Sequence, residues 1–243
     1  MREGFRNGVL NCYINNKPTY VNTSGKIIWQ GKELKDESMT QTPPTVNIDF
    51  MRRGHFYAYS TPKSRYSYGG WAESSNYPKQ IPSSSNFQSS ALSVKVITEF
   101  MNYYSTTRQK GCEFYIANTT KDTISFNAQD SRLYMKIQAL NPQGKWMDIE
   151  YLPGSGCGNS YHTMQLEPNH YWKFVAPHYE GDFKTKLRVE LKYIDPSDKS
   201  NDRYGYNKVI TIYSNEYPGS VNPAQFWRKE RYYPTNIMDP YTE

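Results

Sequence analysis

Residues 183–193 read Phe-Lys-Thr-Lys-Leu-Arg-Val-Glu-Leu-Lys-Tyr. Phe183, Thr185, Leu187, Val189, Leu191 and Tyr193 alternate with Lys184, Lys186, Arg188, Glu190 and Lys192. A period of two puts each set on its own side of an extended chain, so the stretch predicts a β-strand with one face on a core and the other in water. A helix, at about 3.6 residues per turn, would spread the same charges round its whole circumference and leave no apolar stripe. The wet face carries three Lys and one Arg against one Glu. At a sheet edge these charges would block pairing with another chain and offer an acidic partner a docking stripe; in a central strand they mark the exposed face of the sheet. Lys186 and Arg188 are the candidate contacts on that face.

The same kind of signal recurs on the N-terminal side. Strands are expected at 112–118, 123–127, 133–140, 147–151, 163–166 and 171–176, with a further one at 208–213 beyond the first. Residues 92–104 alternate at Val94, Val96 and Thr98 and are read as a strand, although Leu92, Val96, Phe100 and Met101 also fit one helical face. Turn residues separate most of these segments: Asn141-Pro142-Gln143-Gly144, Pro168-Asn169, Glu180-Gly181, the glycine-rich run 153–158 and the polar run 195–202. Short strands at this spacing predict an all-β protein built on an antiparallel β-sandwich. Over 111–219 the order resembles immunoglobulin-like domains of bacterial envelope proteins of unassigned activity. The residues that carry the resemblance are Asn118-Thr119-Thr120 before a turn, Trp146 on a middle strand, Tyr171-Trp172 after a Pro-containing turn, and the long strand through Arg188. The Cys, Trp, Cys arrangement of antibody domains is not part of it, so the likeness concerns architecture.

Residues 9–14, 19–22 and 27–29 predict a small N-terminal meander, with Asn15-Asn16 and Thr23-Ser24-Gly25-Lys26 as its turns. Its second half resembles the unit of bacterial WG-repeat proteins through Lys17, Tyr20, Val21, Asn22, Gly25, Lys26, Ile27 and Ile28. The Trp-Gly dipeptide is missing and one copy is present, whereas such arrays stack several units to bury a face. The resemblance implies a repeat scaffold with no shared enzymatic residues. The expected organisation is a meander at 1–34, a Tyr/Ser/Pro-rich connecting segment at 35–104 with a few strands, of which one or two are expected within 47–60, the sandwich at 105–220 and an aromatic tail at 221–243.

Composition bounds the kind of work. The chain has 243 residues, 37% hydrophobic and 16% aromatic with 23 Tyr, which suits broad half-exposed sheets. A net charge of +6 permits acidic partners. The basic clusters Met51-Arg52-Arg53 and 226–231 match no nucleic-acid-binding motif, so no nucleic-acid partner is expected. No apolar run reaches the roughly 20 residues a membrane helix needs. The opening MREGFRNGVLNCYINN reads as too polar for a secretory signal, yet abundant Asn, Ser, Thr and Tyr favour the cell envelope or the extracellular space over the cytoplasm. A Cys112 to Cys157 bridge would fit an oxidising compartment and leave Cys12 over.

Motifs that would carry chemistry do not assemble. The loop from Gly154 to Ser160 lacks the Lys-Ser/Thr pair and following helix of a phosphate cradle. Cys157 and His162 have no third group to orient an imidazole. His162, His170 and His178 recur every eight residues, wider than zinc spacing, and Lys199 and Arg203 oppose a calcium ion at Asp195, Asp198 and Asp202. Glu150 with Glu167 or Glu190 forms no motif for glycoside hydrolysis. The expectation is therefore a non-catalytic scaffold or binding protein with no cofactor and no metal. Its partner would be another envelope or secreted protein, met through Trp71, Lys186, Arg188, Phe226 and Trp227. Carbohydrate binding by exposed rings such as Trp71 and Trp227 is the alternative, followed by a hydrolase with an unrecognised site.

Overall fold

A computed structural model describes residues 9–14, 17–22, 27–30, 44–54, 56–60, 74–104, 109–200 and 207–231. The protein is all-β: its regular structure consists of strands, with short 3-10 turns at Gly158–Ser160 and Pro223–Phe226. The chain divides into two compact units, Met1–Pro43 and Pro44–Glu243. In the first, β1 (Val9–Ile14), β2 (Lys17–Asn22) and β3 (Ile27–Gln30) form an antiparallel meander, as the sequence predicts. Both of its expected turns lie outside the described residues.

In the second unit the described part of the expected connecting segment carries strands. From residue 44 onward it supplies β4 (Arg52–Arg53), β5 (Lys79–Gln80) and β6 (Leu92–Tyr104). β6 pairs antiparallel with β7 (Gln109–Asn118) from Leu92 to Tyr104, across one irregularity between Ile97 and Met101. That pairing decides the strand reading over the helical one: Val94 and Val96 are buried, and a ladder satisfies the backbone groups that a loop would leave to water. β5 adds to the other side of the same sheet through β14 (His170–Pro177), giving the order β5-β14-β7-β6.

A three-stranded sheet runs β13 (Tyr161–Leu166), β8 (Ile124–Gln129), β9 (Arg132–Leu133). The strand expected at 133–140 is broken at Tyr134, and its second part is β10 (Met135–Leu140). β8 and β9 meet in a tight turn at Asp130 and Ser131, with φ of 48° and 64°, a backbone that side chains adopt at some cost. β11 (Trp146–Asp148), β10, β15 (Phe183–Ile194) and β16 (Val209–Tyr213) make the largest sheet. β17 (Tyr217–Val221) joins it beside the N-terminal half of β15, and β12 (Glu150–Tyr151) pairs with β4.

β15 is thus a central strand, hydrogen-bonded to β10 on one side and to β16 and β17 on the other. The edge-strand reading of 183–193 is excluded. Leu187, Val189 and Leu191 are buried, in one apolar core with Phe114, Ile116, Phe126, Trp172 and Phe174. β17 escaped the sequence reading because Tyr-Pro-Gly-Ser-Val looks like a turn. Its glycine is what lets it approach β15: a Cβ on Gly219 would lie 2.5 Å from Leu187 Cδ1. Cys112 is buried on β7 with Sγ 3.3 Å from His178 Nδ1, and Cys157 sits in the loop before Gly158; both are free thiols, not a bridge.

Candidate functional site

The register of the β15 sheet gathers its charged residues on one face. Gln138 on β10 stands opposite Arg188 and opposite Asp148 on β11, Leu140 opposite Trp146, and Tyr213 on β16 opposite Glu190. Period-two alternation therefore turns Lys136, Gln138, Trp146, Asp148, Arg188 and Tyr213 outward together, away from Leu187 and Val189. Arg188 is the centre of this face. Its guanidinium carbon lies 4.3 Å from the Trp146 ring centre and 3.6 Å from that of Tyr213, so the planar cation is clasped between two aromatic faces.

A polar ladder fixes the guanidinium further. Arg188 Nε donates to Gln138 Oε1 at 2.9 Å, and Gln138 Nε2 donates to Asp148 Oδ1 at 2.9 Å and Glu190 Oε2 at 2.8 Å. Lys136 pairs with Asp148, Lys192 with Glu190 at 3.7 Å and Lys186 with Glu216 at 2.8 Å. The face expected to be uniformly wet is therefore layered. Glu190 and Gln138 are buried beneath the long side chains of their neighbours, because a ladder this dense covers its own middle. Arg188 makes no hydrogen bond through its Nη groups among the described residues. Those groups are the fork that binds a carboxylate by two parallel hydrogen bonds. With Lys184, the face carries five cations against Asp148, Glu190 and Glu216 among the described residues. Tyr213 and Val209 stand exposed on β16 beside it.

Of the sequence-predicted contacts, Lys186 and Arg188 share this face, with Lys186 open to water at 63% exposure. Trp71 lies outside the described residues. Phe226 is half-buried, its ring packed edge-on against Phe183, 6.5 Å between centres, beside the core. Its neighbour Trp227 is 73% exposed. As far as residue 231 the tail is bonded to the body: Met51 N donates to Arg228 O at 2.6 Å and Arg53 Nε meets Glu230 at 3.1 Å. Trp146, Tyr213 and Gln138 were missed. Gln138 and Tyr213 lie inside the expected strands at 133–140 and 208–213 and Trp146 just before the one at 147–151, but the side each faces depends on inter-strand register, and the aromatic character of Trp146 argued for the core.

The other titratable groups are held in different places. His162 is buried and accepts from Ser131 N at 3.0 Å, and burial pushes its pKa down to about 4. His170 bonds Pro168 O, so the three histidines do not converge. Glu190 lies in the outer ladder, whereas Glu150 is enclosed beneath β10, where it accepts from Ile137 N at 3.0 Å and Tyr179 Oη at 2.8 Å.

Burial pushes the Glu150 carboxyl up to about 7 from 4.5, against the lowering effect of those two hydrogen bonds. The folded protein thus holds this proton more tightly than the unfolded chain. The stabilisation from holding it is full below about pH 4.5 and is lost as pH rises through about 7. Glu150→Gln, neutral at every pH, should match the wild type near pH 4.5 and gain on it up to pH 8, by an amount on the order of 3 kcal/mol. Thermal unfolding of both proteins across that range checks this, and a pH-independent difference contradicts it.

No family model matches the chain, and no curated protein matches it. The fold and the face define an all-β protein with a fixed cationic and aromatic surface.

Proposed function

We propose that the chain is a non-catalytic binding subunit that recognises an acidic protein through the outer face of the β15 sheet. The observation that carries this reading is Arg188, clasped by Trp146 and Tyr213, with no hydrogen bond from its Nη groups to another described residue. Residues of these three types dominate binding energy at protein interfaces. An arginine already fixed by rings and by Gln138 loses little rotamer freedom when a carboxylate arrives. The surrounding lysines would steer a negatively charged surface toward it and make association salt-sensitive.

The antiparallel strands around one core support reading the second unit as an immunoglobulin-like sandwich, and the three-stranded meander supports the WG-repeat likeness of the first. Composition rich in Asn, Ser, Thr and Tyr supports an envelope or extracellular setting for the pair.

A photo-crosslinking amino acid tests the face directly. Placed at position 213 it should give a discrete adduct in extract of the native source, whereas at position 77, a Tyr of 58% exposure outside the β15 sheet, it should not. An adduct from position 77 and none from 213 contradicts the proposal.

A further inference from the structure

We propose that a cavity of about 240 Å³ between the β8–β13 pair and the loop after β15 binds a small neutral polyhydroxylated molecule of monosaccharide size. The site is separate from the Arg188 face and does not depend on it. Its floor is the polar side of the β8–β13 pair, where Ser125 stands opposite Gln165 and Thr163 is the next residue on that side of β13. Its wall is the segment 195–200, with Asp195 and Asp198, together with Asn207.

That wall is built, not loose. Asp195 Oδ1 accepts from Ser197 N at 2.9 Å and Ser197 Oγ at 2.7 Å, and its Oδ2 meets Lys208 Nζ at 2.9 Å. Asp198 Oδ1 accepts from Ser200 N at 2.8 Å. Asn207 Nδ2 donates to Asn127 Oδ1 at 2.7 Å and thereby ties the wall to the floor. Of the calcium candidates in this loop, Asp195 is paired with Lys208, and Asp202 lies outside the described residues.

What remains free selects the ligand. The hydroxyls of Ser125 and Thr163 make no hydrogen bond among the described residues. Each can donate and accept; Asp195 Oδ1 is filled by its two bonds from Ser197, while the two oxygens of Asp198, which accept from Ser200 N and Lys208 N, each keep an acceptor site. An anionic ligand would meet two carboxylates. A neutral hydroxyl satisfies both sets at once, donating to a carboxylate and accepting from Ser or Thr. Ile124, Ile194 and Pro196 supply the apolar surface that the carbon face of a sugar covers.

The test is a nitrogen-15 NMR titration of the full chain with D-glucose, D-galactose, D-mannose, D-xylose and N-acetylglucosamine. The expected result is a saturable shift of the Ser125, Thr163, Asp195 and Asn207 amides by at least one sugar, with a dissociation constant in about the millimolar range. The isosteric Thr163→Val should weaken it about fivefold or more while leaving the remaining spectrum and the Tm unchanged. Methyl glycosides separate the two sources of such a ligand: equal binding assigns a terminal residue of a longer glycan, and binding of the free sugar alone assigns a free one. No saturable shift with any sugar, shifts mapping elsewhere, or binding unchanged in Thr163→Val overturns the proposal.

Discussion

Trp172→Ala should cost the second unit about 4 kcal/mol or more and bring it close to unfolding at ambient temperature. Trp172 is fully buried on β14, its ring edge-on to Phe126 at 5.3 Å, and its Nε1 donates to Tyr59 O at 2.8 Å. Truncation removes the apolar area and leaves a cavity among residues that are themselves fixed in sheets, so the site collapses poorly. It also strands the Tyr59 carbonyl, which adds about 1 kcal/mol or more when the group stays dry. Trp172→Phe keeps a ring and loses the hydrogen bond, so it should fall between wild type and alanine. Urea unfolding followed by far-ultraviolet circular dichroism gives the order of midpoints. A midpoint for Trp172→Ala within error of wild type would show that the ring is not part of the core.

The strand that decides the fold was legible because its two faces meet different media. Alternation in 183–193 is forced wherever apolar residues must meet a core and charges must meet water, and β15 follows it at Leu187, Val189 and Leu191. β13 and β14 alternate in burial in the same way, while β7 and β8 are buried on both faces; all four lie where they are expected, to within a few residues at either end. What could not be read were contacts that depend on partners distant in sequence. β17 owes its strand to a close approach to Leu187, and β4, though it lies in 47–60 where a strand or two is expected, takes its bounds from β12, about a hundred residues away. The segment from residue 44 has too few apolar residues to order itself and is ordered by the sheets it joins.

The candidate face was half legible. Parity along one strand gave Lys186 and Arg188 a common side, and nothing more local could have done otherwise. The clasp around Arg188 depends on the register of β10, β11 and β16 against β15, and one residue of slip would have turned Trp146 or Tyr213 inward. Phe226 and Trp227 are adjacent in sequence yet serve opposite ends, because a short 3-10 turn at Pro223–Phe226 directs the first ring to Phe183 and leaves the second in water.

Arg188→Gln is the second large effect expected. It removes the fork and the cation that both rings hold, while the half-buried amide can still reach Gln138. Loss of a fixed arginine at the centre of an interface costs about 2 kcal/mol or more, hence about thirtyfold or more in affinity. Arg188→Lys restores the charge without the planar fork and should recover part of that loss at low salt and little of it near physiological salt.

The most direct measurement is partner capture by immobilised full-length wild type, Arg188→Gln and Arg188→Lys, at matched Tm and at low and physiological salt. The species crosslinked from position 213 should be retained by wild type, lost with Arg188→Gln and held only at low salt by Arg188→Lys. Equal capture of that species by wild type and a fully folded Arg188→Gln would contradict this expectation.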